Sequence, residues 1–378
     1  MTTKRSLGYL TALISLTILF LAPTSRAQND PVWDPHHTWV FMVGLVKWQD
    51  HDSFDDFPAE NRKDTVLLDT FKKRGVPASQ IVYLQDKAAT TAAVEAKFVD
   101  FLKRPAAGDL VIVYFEGHGY KTDDDVPYLA TYDVTDDVAG WKFRSIPDAI
   151  EKNFRGTRAL IALDDCYSGS MAAAVKAAKR RVSYAVLASS MATQESTGNW
   201  TYTEALINGF SGAAFADLDH DGRVTLREMA TNAEQDMLFG EEQVATTAFT
   251  GVFDPETVIA NAKPAASPRV GERVEAYSEN DWWRGYILAV KGSKVLIHYY
   301  GYEQEDEQWI STKNVRVPHS ASPYHIGDRV EVSYKRKWYA AHMLNIKGRS
   351  HYVSYDDYDT DENEWVPTTR IRKTGQNR

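Results

Sequence analysis

The sequence predicts a three-layer α/β/α sandwich on a mostly parallel sheet, followed by two small β-barrels. Three observations predict it. Between Trp39 and about Ala262, short runs that are apolar on both faces alternate with segments of helical period. The stretch 262–268 then turns rich in Ala and Pro, as a linker does. Beyond it, a unit of short alternating segments with glycine turns occurs twice.

The runs Trp39–Lys47, Ile81–Leu84, Leu110–Phe115, Ala159–Leu163 and Tyr184–Ala188 read as strands covered from both sides. A helix is expected over Asn61–Arg74, with cations in its last turn and Gly75 as its cap. A second starts at Thr90 or Thr91 and carries Val94, Phe98, Phe101 and Leu102 on one side. A further helix is expected from about Thr225 to Met237. In the repeats, Val270-Gly271-Glu272-Arg273-Val274-Glu275 recurs as Ile326-Gly327-Asp328-Arg329-Val330-Glu331, 56 positions on. Trp309 recurs as Trp365, and Asn314-Val315-Arg316 as Arg370-Ile371-Arg372, at the same offset. The reading also pairs Trp283 with Trp338, and Tyr299 and Tyr302 with Tyr355 and Tyr358. Expected boundaries are 38–262 for the α/β domain, 263–269 for the linker, and 270–318 and 324–373 for the barrels.

The chain has 378 residues, room for two or three domains, and its 43% hydrophobic and 25% charged residues suit a soluble globular protein. Lys4 and Arg5 precede an apolar run over about Leu10–Leu21, and Ser25-Arg26-Ala27 offers small residues for a signal peptidase. Residues 1–27 therefore read as a signal peptide cleaved after Ala27, with an uncleaved N-terminal anchor as the second reading, and the chain as exported, periplasmic or secreted. Their removal takes away Lys4, Arg5 and Arg26 and no acid, moving the formal charge from -9 to -12. No nucleic-acid partner is expected of so acidic a chain. Cys166 is the only cysteine, so no intramolecular disulfide forms and a lone exported thiol needs a reason.

Val111–Tyr120 reads VIVYFEGHGY and Leu160–Ser170 reads LIALDDCYSGS, each an apolar strand running into a polar, glycine-containing loop. Ligands bind beyond the carboxyl ends of parallel strands, which places His118 and Cys166 where a site belongs. A thiolate is a nucleophile, and an imidazole can take its proton. The two lie 48 residues apart, in the order and near the ~50 residues that separate a caspase histidine from its cysteine.

Gly117-His118-Gly119 and Asp164-Asp165-Cys166-Tyr167-Ser168-Gly169 resemble the Gly-His-Gly and Asp-x-Cys-x-Ser-Gly signatures of bacterial caspase-like peptidases and metacaspases. The resemblance covers about residues 39–250. It implies a caspase-like fold, a cysteine endopeptidase with His118 and Cys166 as catalytic pair, and the backbone N–H groups of Gly119 and Cys166 as oxyanion donors. It also implies that Asp164, with Asp64 as a second acid, meets a basic side chain, so that cleavage follows Arg or Lys of a peptide or protein substrate. Glu116 stands where metacaspases often carry serine, and either deepens the negative pocket or faces solvent. Asp165 reads as a solvent-facing acid. Lys179-Arg180-Arg181 reads as cations closing a helix, with self-cleavage there as a second reading.

Residues 217–228 fit the EF-hand pattern, with Asp217, Asp219, Asp221, the Arg223 carbonyl and Glu228 as candidate Ca²⁺ ligands. Gly209 and Gly212 weaken a regular helix leading into it, so a purely structural turn is the alternative. Each C-terminal repeat resembles a Tudor or Agenet-type SH3-like barrel, some of which bind methylated cations through aromatic cages. The same aromatics could serve a barrel core instead. An accessory role in binding a protein or peptide is expected, and a catalytically silent scaffold working through these repeats is the alternative to the enzyme. No G-x-S-x-G or H-E-x-x-H motif supports another hydrolase.

Overall fold

A computed structural model describes residues 31–176, 179–318 and 322–374. The proposed signal peptide lies outside the described residues. Among the described residues, no helix is long and apolar enough to cross a membrane.

In chain order the α/β region comprises β1 (Thr38–Gly44), α1 (Asp64–Lys73), β2 (Ile81–Gln85), α2 (Thr91–Leu102), β3 (Leu110–Glu116), the short β4 (Gly119–Lys121), β5 (Pro127–Leu129) and β6 (Trp141–Lys142), α3 (Ser145–Asn153), β7 (Arg158–Asp164), α4 (Ser170–Lys176), β8 (Ser183–Ala188), α5 (Thr201–Phe210), β9 (Arg223–Thr225), α6 (Leu226–Asp236), β10 (Thr246–Phe249) and β11 (Val258–Asn261). The main sheet has the order β10-β8-β7-β3-β1-β2, parallel throughout except for β10, which runs antiparallel on β8. Successive strand residues point to opposite faces, which makes both faces apolar. Phe41, Val43, Val113 and Ile161 pack with Phe98 of α2 and Ile146 of α3, whereas Val40, Met42, Ile112 and Leu160 pack with Phe71 of α1, Tyr202 of α5 and Met229 of α6. These are the three predicted layers.

Element ends differ from the sequence reading for identifiable reasons. The first strand stops at Gly44, because the Leu45 N–H turns to the Glu116 carbonyl and the Val46 N–H to the Asp86 carboxylate. Helix α1 starts at Asp64 and not Asn61, since Arg62 is extended and its side chain is held by Asp64 and Asp86. Thr90 caps α2, its hydroxyl accepting the Ala93 N–H. Arg180 and Arg181 do not simply close a helix: Arg180 pairs with Asp148, and Arg181 donates to the Phe154 and Gly156 carbonyls.

Barrel 1 has β12 (Arg273–Ser278), β13 (Asp281–Lys291), β14 (Lys294–Tyr299), β15 (Gln308–Ser311) and β16 (Val315–Arg316). Barrel 2 repeats it as β17 (Arg329–Tyr334), β18 (Lys337–Lys347), β19 (Ser350–Tyr355), β20 (Glu364–Pro367) and β21 (Ile371–Lys373). Both sheets are antiparallel, in the orders β15-β14-β13-β12-β16 and β20-β19-β18-β17-β21, consistent with SH3-like barrels. The hairpin register corrects one pairing of the repeats. Trp282 opposes Tyr277 as Trp338 opposes Ser333, so Trp338 corresponds to Trp282, and Trp283 to Tyr339. Arg316 lies over Trp282 at 3.9 Å and Arg372 over Trp338 at 4.1 Å, the same contact made twice.

The exposed linker leads into barrels docked on the α/β region through buried polar groups. Arg273 and the Tyr300 hydroxyl both bind Asp236 of α6, at 2.8 and 2.6 Å, and the Tyr286 hydroxyl donates to Glu204 of α5 at 2.7 Å. Glu242 ties all three parts together. It pairs with Arg284 of barrel 1 and, at 2.7 Å, with Arg349 of barrel 2, and it accepts the Thr368 N–H.

Candidate functional site

His118 and Cys166 follow β3 and β7, which lie side by side with Glu116 opposite Asp164. Each residue stands two positions beyond that matched pair, so the sheet brings both loops to its carboxyl edge. The loops touch where a Cβ on Gly119 would fall 2.2 Å from the Cys166 carbonyl oxygen and 2.3 Å from an Asp165 carboxylate oxygen. Only glycine allows that approach. The Ser196 N–H donates to the Cys166 sulfur at 3.2 Å, and the Gly119 N–H, on the facing loop, slightly offsets the rise in the thiol pKa.

The His118 ring is wedged between Trp48 and Phe57, each with centroids at 4.5 Å, and near Phe54 at 5.5 Å. Its Nε2 lies 2.9 Å from the Asp55 carbonyl oxygen. A carbonyl only accepts, so Nε2 carries the proton and Nδ1 is left as the basic nitrogen. Burial, partly opposed by the Asp55 carbonyl, lowers the imidazole pKa below its ordinary 6.5. Part of Cys166 is open to solvent, yet burial around its thiol pushes it up to about 12, with Asp165 and Glu195 adding to the rise. Near pH 7 the pair is a neutral thiol and a neutral imidazole. In this structure the thiol faces the Ser196 carbonyl at 3.8 Å, and no hydrogen bond joins it to the imidazole.

A framework of short bonds fixes the cysteine loop. Tyr167 adopts φ 61° and donates its N–H to the Gln194 carbonyl, Ser168 and Ser190 bond each other's backbone N–H and side chain, and Gln243 binds the Ser189 carbonyl and the Ser196 hydroxyl. A non-glycine residue at positive φ persists only where its surroundings hold it.

The acids expected around the pair are buried. Asp64 is fully buried against the Arg62 guanidinium, at 2.8 and 2.7 Å, and receives the Tyr83 hydroxyl at 2.6 Å. Asp164 accepts the Thr203 N–H and hydroxyl at 3.0 and 2.7 Å. Glu116 does not face solvent: it accepts the Tyr114 hydroxyl at 2.7 Å, and burial with Asp64 and Asp164 nearby raises its pKa well above the usual range. Asp165, read as solvent-facing, is 1% exposed with neither oxygen hydrogen-bonded, and burial followed by the charge of Asp164 keeps it protonated far above its ordinary pKa. Its side chain takes the inward direction because Gly119 leaves room for it.

Burial raises Asp164 from 3.8 to about 6. A carboxyl whose folded pKa is raised contributes stability below its unfolded pKa and loses it as pH rises through the folded value. From about pH 4 to about pH 6 the folded state thus loses about 3 kcal/mol through this one group. Asparagine can still accept from Thr203 and does not titrate. In urea unfolding, Asp164→Asn should gain on wild type by that amount across this window, and parallel pH profiles would contradict the assignment.

Asp217, Asp219 and Asp221 converge, their ligand oxygens within 4.8 Å of one another. These three suit a hard cation. Glu228 does not join them: its carboxylate accepts the Leu218 and Asp219 N–H groups and both donors of Thr225, capping α6. Arg223 begins β9, and its guanidinium binds Asp221 at 2.7 Å. The helix before the loop ends at Phe210, and Gly212 at φ 67° precedes only a short 3-10 turn, as the two glycines suggested.

In each barrel the core is mainly aliphatic, with Val274, Ile287 and Ile297 in the first and Val330, Met343 and Val353 in the second. Three aromatics in each barrel also form an open box, Tyr299 belonging to the barrel 1 core as well. Trp283, Tyr299 and Tyr302 wall a cavity of about 180 Å³ that Glu279 and Asp306 also line. Tyr339, Tyr355 and Tyr358 stand at 6.0 to 6.2 Å and steep mutual angles.

The Agenet domain model matches residues 271–320 and 327–376. The C-terminal part is a pair of Agenet domains. Neither match reaches the α/β region. No curated protein matches the chain. Among solved structures, a structural-genomics protein from Geobacter sulfurreducens is similar over 60% of this chain and 99% of its own, with 15% identity and a TM-score of 0.45.

Sequence reasoning found the two loops and the acidic neighbourhood. It missed the Asp55 carbonyl, the Trp48, Phe54 and Phe57 wall, Ser196, and the Arg62 partner of Asp64. Only Arg62 carried a signal, as a cation two residues before an acid that needs one when buried.

Proposed function

We propose that this chain is a cysteine endopeptidase of the caspase-like, metacaspase-related kind that cleaves after Arg or Lys. The observation that carries the proposal is the placement of His118 and Cys166 beyond one matched strand pair, with His118 anchored through Nε2 and Gly119 packed against the Cys166 backbone. His118 Nδ1 takes the thiol proton as sulfur attacks the scissile carbonyl. The tetrahedral oxyanion is met by the N–H groups of Gly119 and Cys166, and collapse gives a thioester as His118 protonates the leaving amine. Water, deprotonated by His118, then releases the acid.

Basic specificity is what the metacaspase resemblance implies for Asp164 and Asp64. Both carboxyls are buried, with Asp64 held by Arg62, so a substrate cation meets them only when this cluster opens. The purified chain should turn over arginyl or lysyl reporter peptides faster than aspartyl ones, and faster aspartyl turnover would contradict the specificity. One observation favours the second reading, a catalytically silent scaffold: the neutral thiol is bonded to Ser196 and not to His118.

The proposal includes Ca²⁺ at Asp217, Asp219 and Asp221, where it would brace the turn into α6. Titration calorimetry should give a saturable signal for one ion per chain that Asp217→Asn removes. Absence of heat with the wild-type chain would remove the site. At a hundredfold excess over its dissociation constant such an ion adds about 2.7 kcal/mol to stability. The Agenet pair supplies a docking function for a protein or peptide ligand, with the open aromatic boxes suited to a cationic side chain. Export rests on residues 1–27 as a cleaved leader.

A further inference from the structure

A cavity of about 340 Å³ lies where barrel 2 meets the cysteine loop. One wall is the box of Tyr339, Tyr355 and Tyr358; the facing wall is Tyr167, next to Cys166, and Glu195, next to the Ser196 that binds the Cys166 sulfur. The Tyr167 hydroxyl reaches Glu195 at 3.3 Å. The cavity's cations are already paired, Lys121 with Asp125 at 2.6 Å and Arg370 with Glu364 through two bonds of 2.8 and 2.9 Å. The four lining carboxylates outnumber these two cations, which leaves Glu195 and Glu362 in excess. Barrel 2 is held in this position by Arg349 and Thr368 on the buried Glu242.

Resting on the peptidase reading, we propose that this cavity is a single composite binding site for a peptide bearing a cationic side chain. Barrel 2 and the cysteine loop hold the same peptide, which delivers one of its segments to Cys166. Tyrosine faces attract the cation through their quadrupoles, and Glu195 and Glu362 complement its charge. The barrel 1 box, walled by Trp283, is lined by barrel 1 residues.

The test uses Cys166 as its own reporter, because it is the only thiol in the chain. The full chain carrying His118→Gln keeps the thiol and turns the probe over about 10²-fold or more slowly than wild type. Iodoacetamide labelling is followed by intact mass, with and without an N-acetylated, C-amidated nonapeptide of glycine and serine around one central arginine. The peptide should slow labelling saturably, and the same peptide with norleucine in place of arginine should not. Adding Tyr358→Ala, a change at a half-exposed ring, should raise the peptide concentration for half-protection about tenfold, as expected for loss of one cation–π wall. Three results would overturn the proposal: no protection by the arginine peptide, protection unchanged by Tyr358→Ala, or labelling that Tyr358→Ala speeds without peptide, which would make barrel 2 a cover over the thiol. Labelling does not require hydrolysis. A chain that fails to cut any peptide yet shows Tyr358-dependent protection therefore loses the enzyme reading and keeps the site.

Discussion

Replacing His118 by glutamine should lower kcat/KM on arginyl reporters by about 10²- to 10⁴-fold, the usual range for a lost general base. Glutamine can still donate to the Asp55 carbonyl, so the loop geometry survives while the basic Nδ1 is gone. The effect is large because burial holds the Cys166 thiol at about 12. Without a base almost none of it ionises near pH 7. The wild-type profile should fall on the acid side with an apparent pKa below 6.5, since burial lowers His118, and that limb should vanish in the variant. A variant that retains wild-type kcat/KM would transfer the base role away from His118.

Arg62→Ala should destabilise the fold by about 3–5 kcal/mol, the cost of leaving a buried charge without its partner. Asp64 has no solvent exposure, and its Oδ2 lies 1.6 Å from where a Cβ on Gly44 would stand, so it has no route to water. Tyr83 and Thr65 remain as donors but bring no charge. Pairing the change with Asp64→Asn should restore most of the loss, because the carboxylate that needed compensation is removed with its cation. Urea midpoints of the two single variants and the double variant decide this. A single Arg62→Ala variant as stable as wild type would contradict the pairing.

What the sequence made legible followed from side chains that announce their surroundings. The two-faced apolar runs at Leu110–Phe115 and Ala159–Leu163 read as buried parallel strands, and their polar, glycine-bearing ends marked the loops of His118 and Cys166. The repeat marked the two barrels down to Arg316 and Arg372, which make the same contact. Trp282 and Trp283 stand together in the sequence, and only the hairpin register decides which is equivalent to Trp338. The Asp55 carbonyl was illegible because a backbone group has no residue signature. Charged residues said least about their surroundings. Glu204, Asp236 and Glu242 look like ordinary helix-surface acids, yet each is neutralised across the barrel interface by a residue far along the chain: His298, Arg273, or Arg284 with Arg349. Asp165 looked like a surface acid and is buried unpaired, an arrangement no local pattern encodes.

The central claim is that Cys166 is a nucleophile. The most direct measurement compares initial rates of wild type and Cys166→Ala on arginyl and lysyl reporter peptides, with and without Ca²⁺. The account predicts measurable wild-type turnover and a loss of about 10³-fold or more in the variant under both conditions; equal rates for the two proteins would contradict it.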